Sequence, residues 1–106
     1  MTDQALLLMM TEVADEHDAA FNAWYNDVHI PELLQLPGFI SAERFRRVGA
    51  GIRYLAVYRL ESVEAVESEN FKRWRAASES TQLWASRFTD MQRHLYERIF
   101  PSAAAG

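Results

Sequence analysis

The residues best equipped for chemistry lie in one stretch, FNAWYNDVHIPELLQLPGF, Phe21 to Phe39. Within it Phe21, Trp24, Tyr25, Val28 and His29 fall at i, i+3, i+4, i+7 and i+8, one stripe of an amphipathic helix. An imidazole on such a stripe titrates near neutrality and can move a proton inside an enclosed cavity. His29 is therefore the candidate general acid or base. Tyr25, one turn earlier, can orient it or a bound phenolate, while Phe21 and Trp24 can wall an aromatic ligand. Pro31 removes a backbone donor and biases Ile30 away from helical dihedrals, so the helix is expected to end or kink at His29 and Ile30, while Pro31 can open a further short turn through PELLQL. The competing reading is an interior histidine that donates to a carbonyl and only holds this kink. Tyr25 would then be an ordinary core residue with a satisfied hydroxyl.

Further candidates are spread along the chain. Tyr54 and Tyr58 alternate onto one face of IRYLAVYRL and can face either the helices or a partner. Trp74 and Trp84 can line the far side of a cavity, or simply pack. Arg44 can bind an anionic or enolate oxygen if it points inward, and forms a surface salt bridge otherwise. Asp27, two residues before His29, belongs on another helix face. Metal ligation lacks a framework. His29 and Glu32 have an H-x-x-E spacing that Pro31 interrupts, Glu16-His17-Asp18 reads as an exposed polar helix start, and His94 has no evident co-ligand. There is no nucleophile elbow, phosphate-cradling glycine loop or dinucleotide fingerprint. Proton transfer or binding in an apolar pocket remains, with no metal or organic cofactor expected.

Composition narrows the partners. A net charge of −4 over 106 residues offers little to a nucleic-acid backbone, and the basic clusters FRR and FKRWR read as solvated faces or partners of the many Glu residues. The absence of cysteine excludes disulfides and thiolate chemistry. The apolar run ALLLMM is too short to span a bilayer. MTDQ carries no basic leader region, so a cytoplasmic protein is expected.

The elements that must position these residues follow from periodicity. ALLLMMTEV (5–13) is a buried strand, and Asp15 is a candidate cap for the helix that follows. Pro37-Gly38 marks a turn. FISAERFRRV (39–48) and IRYLAVYRL (52–60) form a hairpin across Gly49-Ala50-Gly51. A helix over 62–80 starts at Ser62 with the stripe Val63, Val66, Phe71, Trp74 and Ala77, and TQLWASRF (81–88) suits a short helix. MQRHLYERIF (91–100) is the last strand, closed by Pro101. Residues 1–101 form a single domain and 102–106 a disordered tail. The order β-α-β-β-α-β predicts an α+β, ferredoxin-like protomer with a four-stranded antiparallel sheet and helices on one face. The first and third strands are apolar on both faces. A soluble monomer avoids exposing such a sheet, so the sequence predicts a homodimer packed through the sheet face.

The segment FNAWYNDVHIPELLQLPGFISAERFR resembles the W-Y-x-x-x-H-x-P-E…P-G-F region of EthD-like proteins of the dimeric α+β-barrel superfamily, and HLYERIFP resembles the end of many such chains. The resemblance spans about residues 5–101. It implies a ferredoxin-like protomer packed sheet to sheet on its mate, a pocket between sheet and helices, and His29 as the catalytic candidate. Superfamily relatives include polyketide cyclases, muconolactone isomerases, dehydratases, cofactor-free monooxygenases and haem-degrading enzymes. The haem-degrading enzymes ligate iron from the second helix, where this chain has Trp74. Cofactor-free monooxygenases use an Asn/Trp/His/Arg set whose positions do not map onto this sequence.

Together these readings describe a cofactor-independent enzyme acting on a small hydrophobic, aromatic or polyketide-like substrate. His29 and Tyr25 would carry proton transfer in an isomerisation, cyclisation or elimination. Phe21, Trp24, Arg44, Tyr58, Trp74 and Trp84 would bind the substrate. The alternatives are a cofactor-free monooxygenase and a non-catalytic binding or accessory protein of an oxygenase system.

Overall fold

A computed structural model of the chain describes residues 3–101. The tail expected at 102–106 lies outside the described residues. Four strands, β1 (Ala5–Val13), β2 (Phe39–Arg46), β3 (Tyr54–Leu60) and β4 (Phe88–Glu97), form an antiparallel sheet in the order β2-β3-β1-β4. This is the ferredoxin-like α+β architecture that the element order predicts.

Alternation along the strands decides which side chains meet the helices. Ala5, Leu7, Thr11 and Val13 of β1 and Tyr54, Ala56, Tyr58 and Leu60 of β3 are buried. Register pairs Leu7 with Tyr58 and Thr11 with Tyr54, so these side chains share one face. Phe21, Tyr25, Leu33, Val66, Phe71 and Trp84 complete the core against it. On the opposite face Leu6, Leu8, Met10, Leu55 and Val57 are only half-buried. No helix among the described residues is long and apolar enough to cross a membrane.

The first helical segment has its irregularity where Pro31 predicts one, as a widened turn followed by a further short helix. A 3₁₀ turn (Asp15–His17) leads into α1 (Asp18–Trp24), a π-helical turn (Tyr25–His29) and α2 (Ile30–Leu33), without a stop at His29. The Ile30 N–H bonds to the Tyr25 carbonyl, five residues back. Proline in an α-helix collides with the carbonyl four residues earlier. The wider turn just before Pro31 absorbs that conflict, and the helix runs on to Leu33. Asp15 makes no cap; its carboxylate lies 3.2 Å from Arg53.

The second helical region is also subdivided. A 3₁₀ turn (Val63–Val66), α3 (Glu69–Ala77) and α4 (Glu79–Ala85) replace the continuous helix expected over 62–80. The cause is local: Ser62, Ser68 and Ser78 each accept a backbone N–H with their side chains, so each offers the chain a new start. Ala77 is consequently exposed, not part of the apolar stripe. β4 begins three residues earlier than expected, because Phe88 pairs opposite Val13 across a bulge.

Candidate functional site

The π turn sets His29 beside the aromatics that precede it. Its ring stacks on Trp24 at 4.5 Å and 23°, meets Tyr25 edge-on at 4.8 Å, and lies 5.8 Å from Trp74. Val28, placed on the same stripe by sequence, is 38% exposed. The Trp74 indole N–H donates to the Glu32 carboxylate at 3.2 Å, which ties α3 to α2 across the site. Glu32, whose spacing from His29 suggested a metal pair, thus anchors a tryptophan. No group of three or more metal-type side chains occurs among the described residues.

These residues wall a cavity of about 100 Å³ between helices and sheet. Trp24, Tyr25, His29, Trp74 and Tyr58 contribute to it, together with Met9 and Thr11 of β1 and Phe71 of α3. Sequence reasoning missed Thr81, Arg75, Met91 and Arg93, which also line it. Strand alternation would have placed Met91 and Arg93 on the face of Leu95. Thr81 had no signal, since its neighbourhood was ambiguous.

Three expected binding residues stand behind this wall. Phe21 is fully buried and packs between Tyr25, Trp84 and Phe88, not against the cavity. Trp84 stacks on the outer side of Trp24 at 5.8 Å. Arg44 does point inward, because register pairs it with Ala56 on the helix face. Its guanidinium, however, lies over the Tyr25 ring at 4.5 Å and over Tyr54 at 5.3 Å, outside the cavity lining. It donates to Asn26 Oδ1 at 2.9 Å, while its Nε and Nη2 are buried without a partner. The side chains are large enough to form two layers, and spacing alone does not say which layer a residue joins. Tyr54 faces the helices and bonds to Asp18 and Asn22.

The electrostatics follow from burial. Desolvation, then the Arg44 cation, push the His29 imidazole down to about 4, so it is neutral at pH 7. Its Nδ1 lies 3.4 Å from Thr81 Oγ1, and Nε2 has no protein partner among the described residues. The Tyr58 hydroxyl donates to Tyr25 at 2.8 Å. Burial pushes Tyr25 up to about 12 and raises Tyr58 as well, so both phenols stay protonated. Trp24 Nε1 is buried without a hydrogen-bond partner. A small apolar space faced by a neutral imidazole, two phenols and an unused indole donor can bind an aromatic molecule and hold a negative oxygen.

The same wall tests haem, a group that the resemblance described above raises. The second helix presents Trp74, and the one imidazole in the wall is stacked on Trp24 with Thr81 at Nδ1. A cavity of about 100 Å³ does not admit a porphyrin. The residues present do not fit this group.

Solved structures share the fold at low sequence identity. A monooxygenase of Streptomyces coelicolor in complex with nanaomycin D matches with a TM-score of 0.71 and 14% identity, over 91% of this chain and 88% of that one. An EthD family protein from Bacillus halodurans matches with a TM-score of 0.66 and 16% identity, over 91% and 99%. A cofactor-independent oxygenase from Streptomyces nogalater, solved as a mutant, matches with a TM-score of 0.65 and 15% identity, over 92% and 95%. These structures share the ferredoxin-like α+β fold with this chain. No curated protein matches in sequence. One family model does, over residues 4–99, a span that holds every strand and the whole cavity wall: the chain belongs to the family described as a domain of unknown function, DUF4286.

Proposed function

We propose that this protein is a cofactor-independent enzyme that moves a proton on a small aromatic substrate bound in the cavity, with His29 as acid/base. The observation that carries this reading is the placement of His29: neutral, stacked on Trp24, and part of the wall of an apolar cavity. When Nδ1–H donates to Thr81 Oγ1, the Nε2 lone pair is the one free to take a proton. A base this weak needs help, and an acidic or anionic substrate beside it raises its proton affinity toward the useful range. Tyr25 and the Trp24 indole then stabilise the oxygen on which charge develops. The EthD-like resemblance points to the same histidine, and a cytoplasmic setting suits a chain without cysteine.

The assembly we propose is a homodimer through the half-buried sheet face, supported by the apolar row of Leu6, Leu8, Met10, Leu55 and Val57.

The test uses small phenols, aromatic ketones and aromatic acids in D2O, with NMR reading deuterium incorporation or conversion. In His29→Gln, turnover should fall by about 10²–10⁴ while ligand binding persists. Equal turnover in the variant removes His29 from the chemistry, and no turnover of any compound by the wild type favours a carrier. A second reading, oxygenation without cofactor, is supported by the fold shared with the Streptomyces oxygenases. There an activated CH2 and O2 would yield a carbonyl and water, and oxygen uptake proportional to product separates it from proton transfer alone.

A further inference from the structure

Two arginines in the cavity wall have no anion. Arg93 stands on β4 opposite Met9, in a row whose inward neighbours are Met91 and Leu95. Arg75 reaches the same wall from α3, one residue after Trp74. Neither makes a hydrogen bond or ion pair among the described residues, and the wall contains no Asp or Glu. Both side chains are exposed, so the guanidiniums stay hydrated, and their N–H donors are left for an anion beside an apolar cavity. Partial burial, then the neighbouring Arg75, hold Arg93 below the usual guanidinium value.

This is not a shortage of acids, because the chain has 15 Asp and Glu against 11 Lys and Arg. Three other arginines do find acids: Arg53 pairs with Glu12 at 2.5 Å, Arg59 with Asp3 at 3.2 Å, and Arg98 with Asp3 at 3.0 Å. Lys72 continues the positive rim along the groove between α3 and α4, which shares Arg75 and Thr81 with the cavity.

The geometry points to a substrate that is a small aromatic carboxylate, its ring in the cavity and its carboxylate held by Arg75 and Arg93. The inference rests on the cavity being the ligand site proposed above. Guanidinium groups match a carboxylate's two oxygens through paired N–H donors. Size restricts the body: a dry cavity of about 150 Å³ holds one benzene, so the roughly 100 Å³ here takes at most a single ring, with its acidic group outside, and no fused polycycle.

The experiment titrates the full chain with benzoate and with its neutral counterpart benzamide, read by the fluorescence of the cavity tryptophans. Benzoate should bind about tenfold more tightly than benzamide, and more weakly as salt rises. Arg75→Gln and Arg93→Gln should each remove most of that preference, while benzamide binding, thermal stability and dimer content stay as in the wild type. Equal affinity for both compounds overturns the carboxylate inference and leaves the cavity reading standing. A benzoate preference that survives in the double variant overturns it too. So does loss of the dimer in either variant, which would assign the arginines to a subunit contact. Binding of neither compound removes the cavity reading and this inference together.

Discussion

His29 owes its properties to neighbours that differ in how readily sequence reveals them. Trp24 and Tyr25 follow from helical spacing, and Tyr58 and Trp74 from alternation and a second apolar stripe. Thr81, by contrast, reaches Nδ1 only because α4 folds back over the first helical segment. Thr81→Val should lower kcat by about five- to tenfold with KM nearly unchanged, by removing the hydroxyl beside Nδ1, and should shift the pH profile. Thr81→Ser should restore both; kinetics across pH for the three proteins decide it. Burial of the imidazole also predicts a stability effect. The unfolded chain protonates at the ordinary 6.5, whereas the folded protein resists until about 4. The unfolded state therefore binds more protons between these values. Stability is full above pH 6.5 and declines as pH falls toward 4, by roughly 3 kcal/mol when complete. Asp3 and Glu12 would be raised by burial, but arginine hydrogen bonds hold them below their ordinary 3.8 and 4.5, so their losses come at lower pH. Urea midpoints from pH 7 to 4 should show a slope in the wild type that His29→Gln largely removes.

At the level of elements, the sequence signals were correct in kind and misplaced in extent. Pro31 did mark an irregularity, but the chain resolved it by widening the turn before the proline instead of ending the helix. That choice depends on Leu33 having a buried site to occupy, which a local signal does not report. The turn at Gly38 shows the opposite case, where a local signal was sufficient. Gly38 has φ +89°, and its carbonyl accepts the Glu61 N–H at 2.8 Å. A Cβ there would sit 2.7 Å from the Ala65 Cβ. Gly38→Ala should therefore cost about 1–3 kcal/mol, from backbone strain and from displacement of the 3₁₀ turn against β2. A urea midpoint within error of the wild type would show that Ala65 yields freely.

For the whole molecule, the outer sheet face is the feature with the largest consequence. Val57 pairs with Leu8 at its centre, flanked by Leu55 opposite Met10. Placing a carboxylate in that row buries an unpaired charge in the proposed dimer and leaves the isolated protomer's core untouched. Val57→Glu should therefore sediment as a monomer under conditions where the wild type is a dimer, with little change in secondary structure by circular dichroism. A dimeric Val57→Glu would place the interface elsewhere. The sequence by itself determined the order of elements, the faces of the strands and the identity of the imidazole, because each depends on a period of two or about 3.6 residues and on local turn chemistry. Only the tertiary structure decided that Arg44, Phe21 and Trp84 lie behind the wall and that Thr81, Arg75 and Arg93 stand in it. Depth within a core and encounters between distant elements are set by how side chains of given volume fill the space between sheet and helices, and no spacing along the chain encodes that.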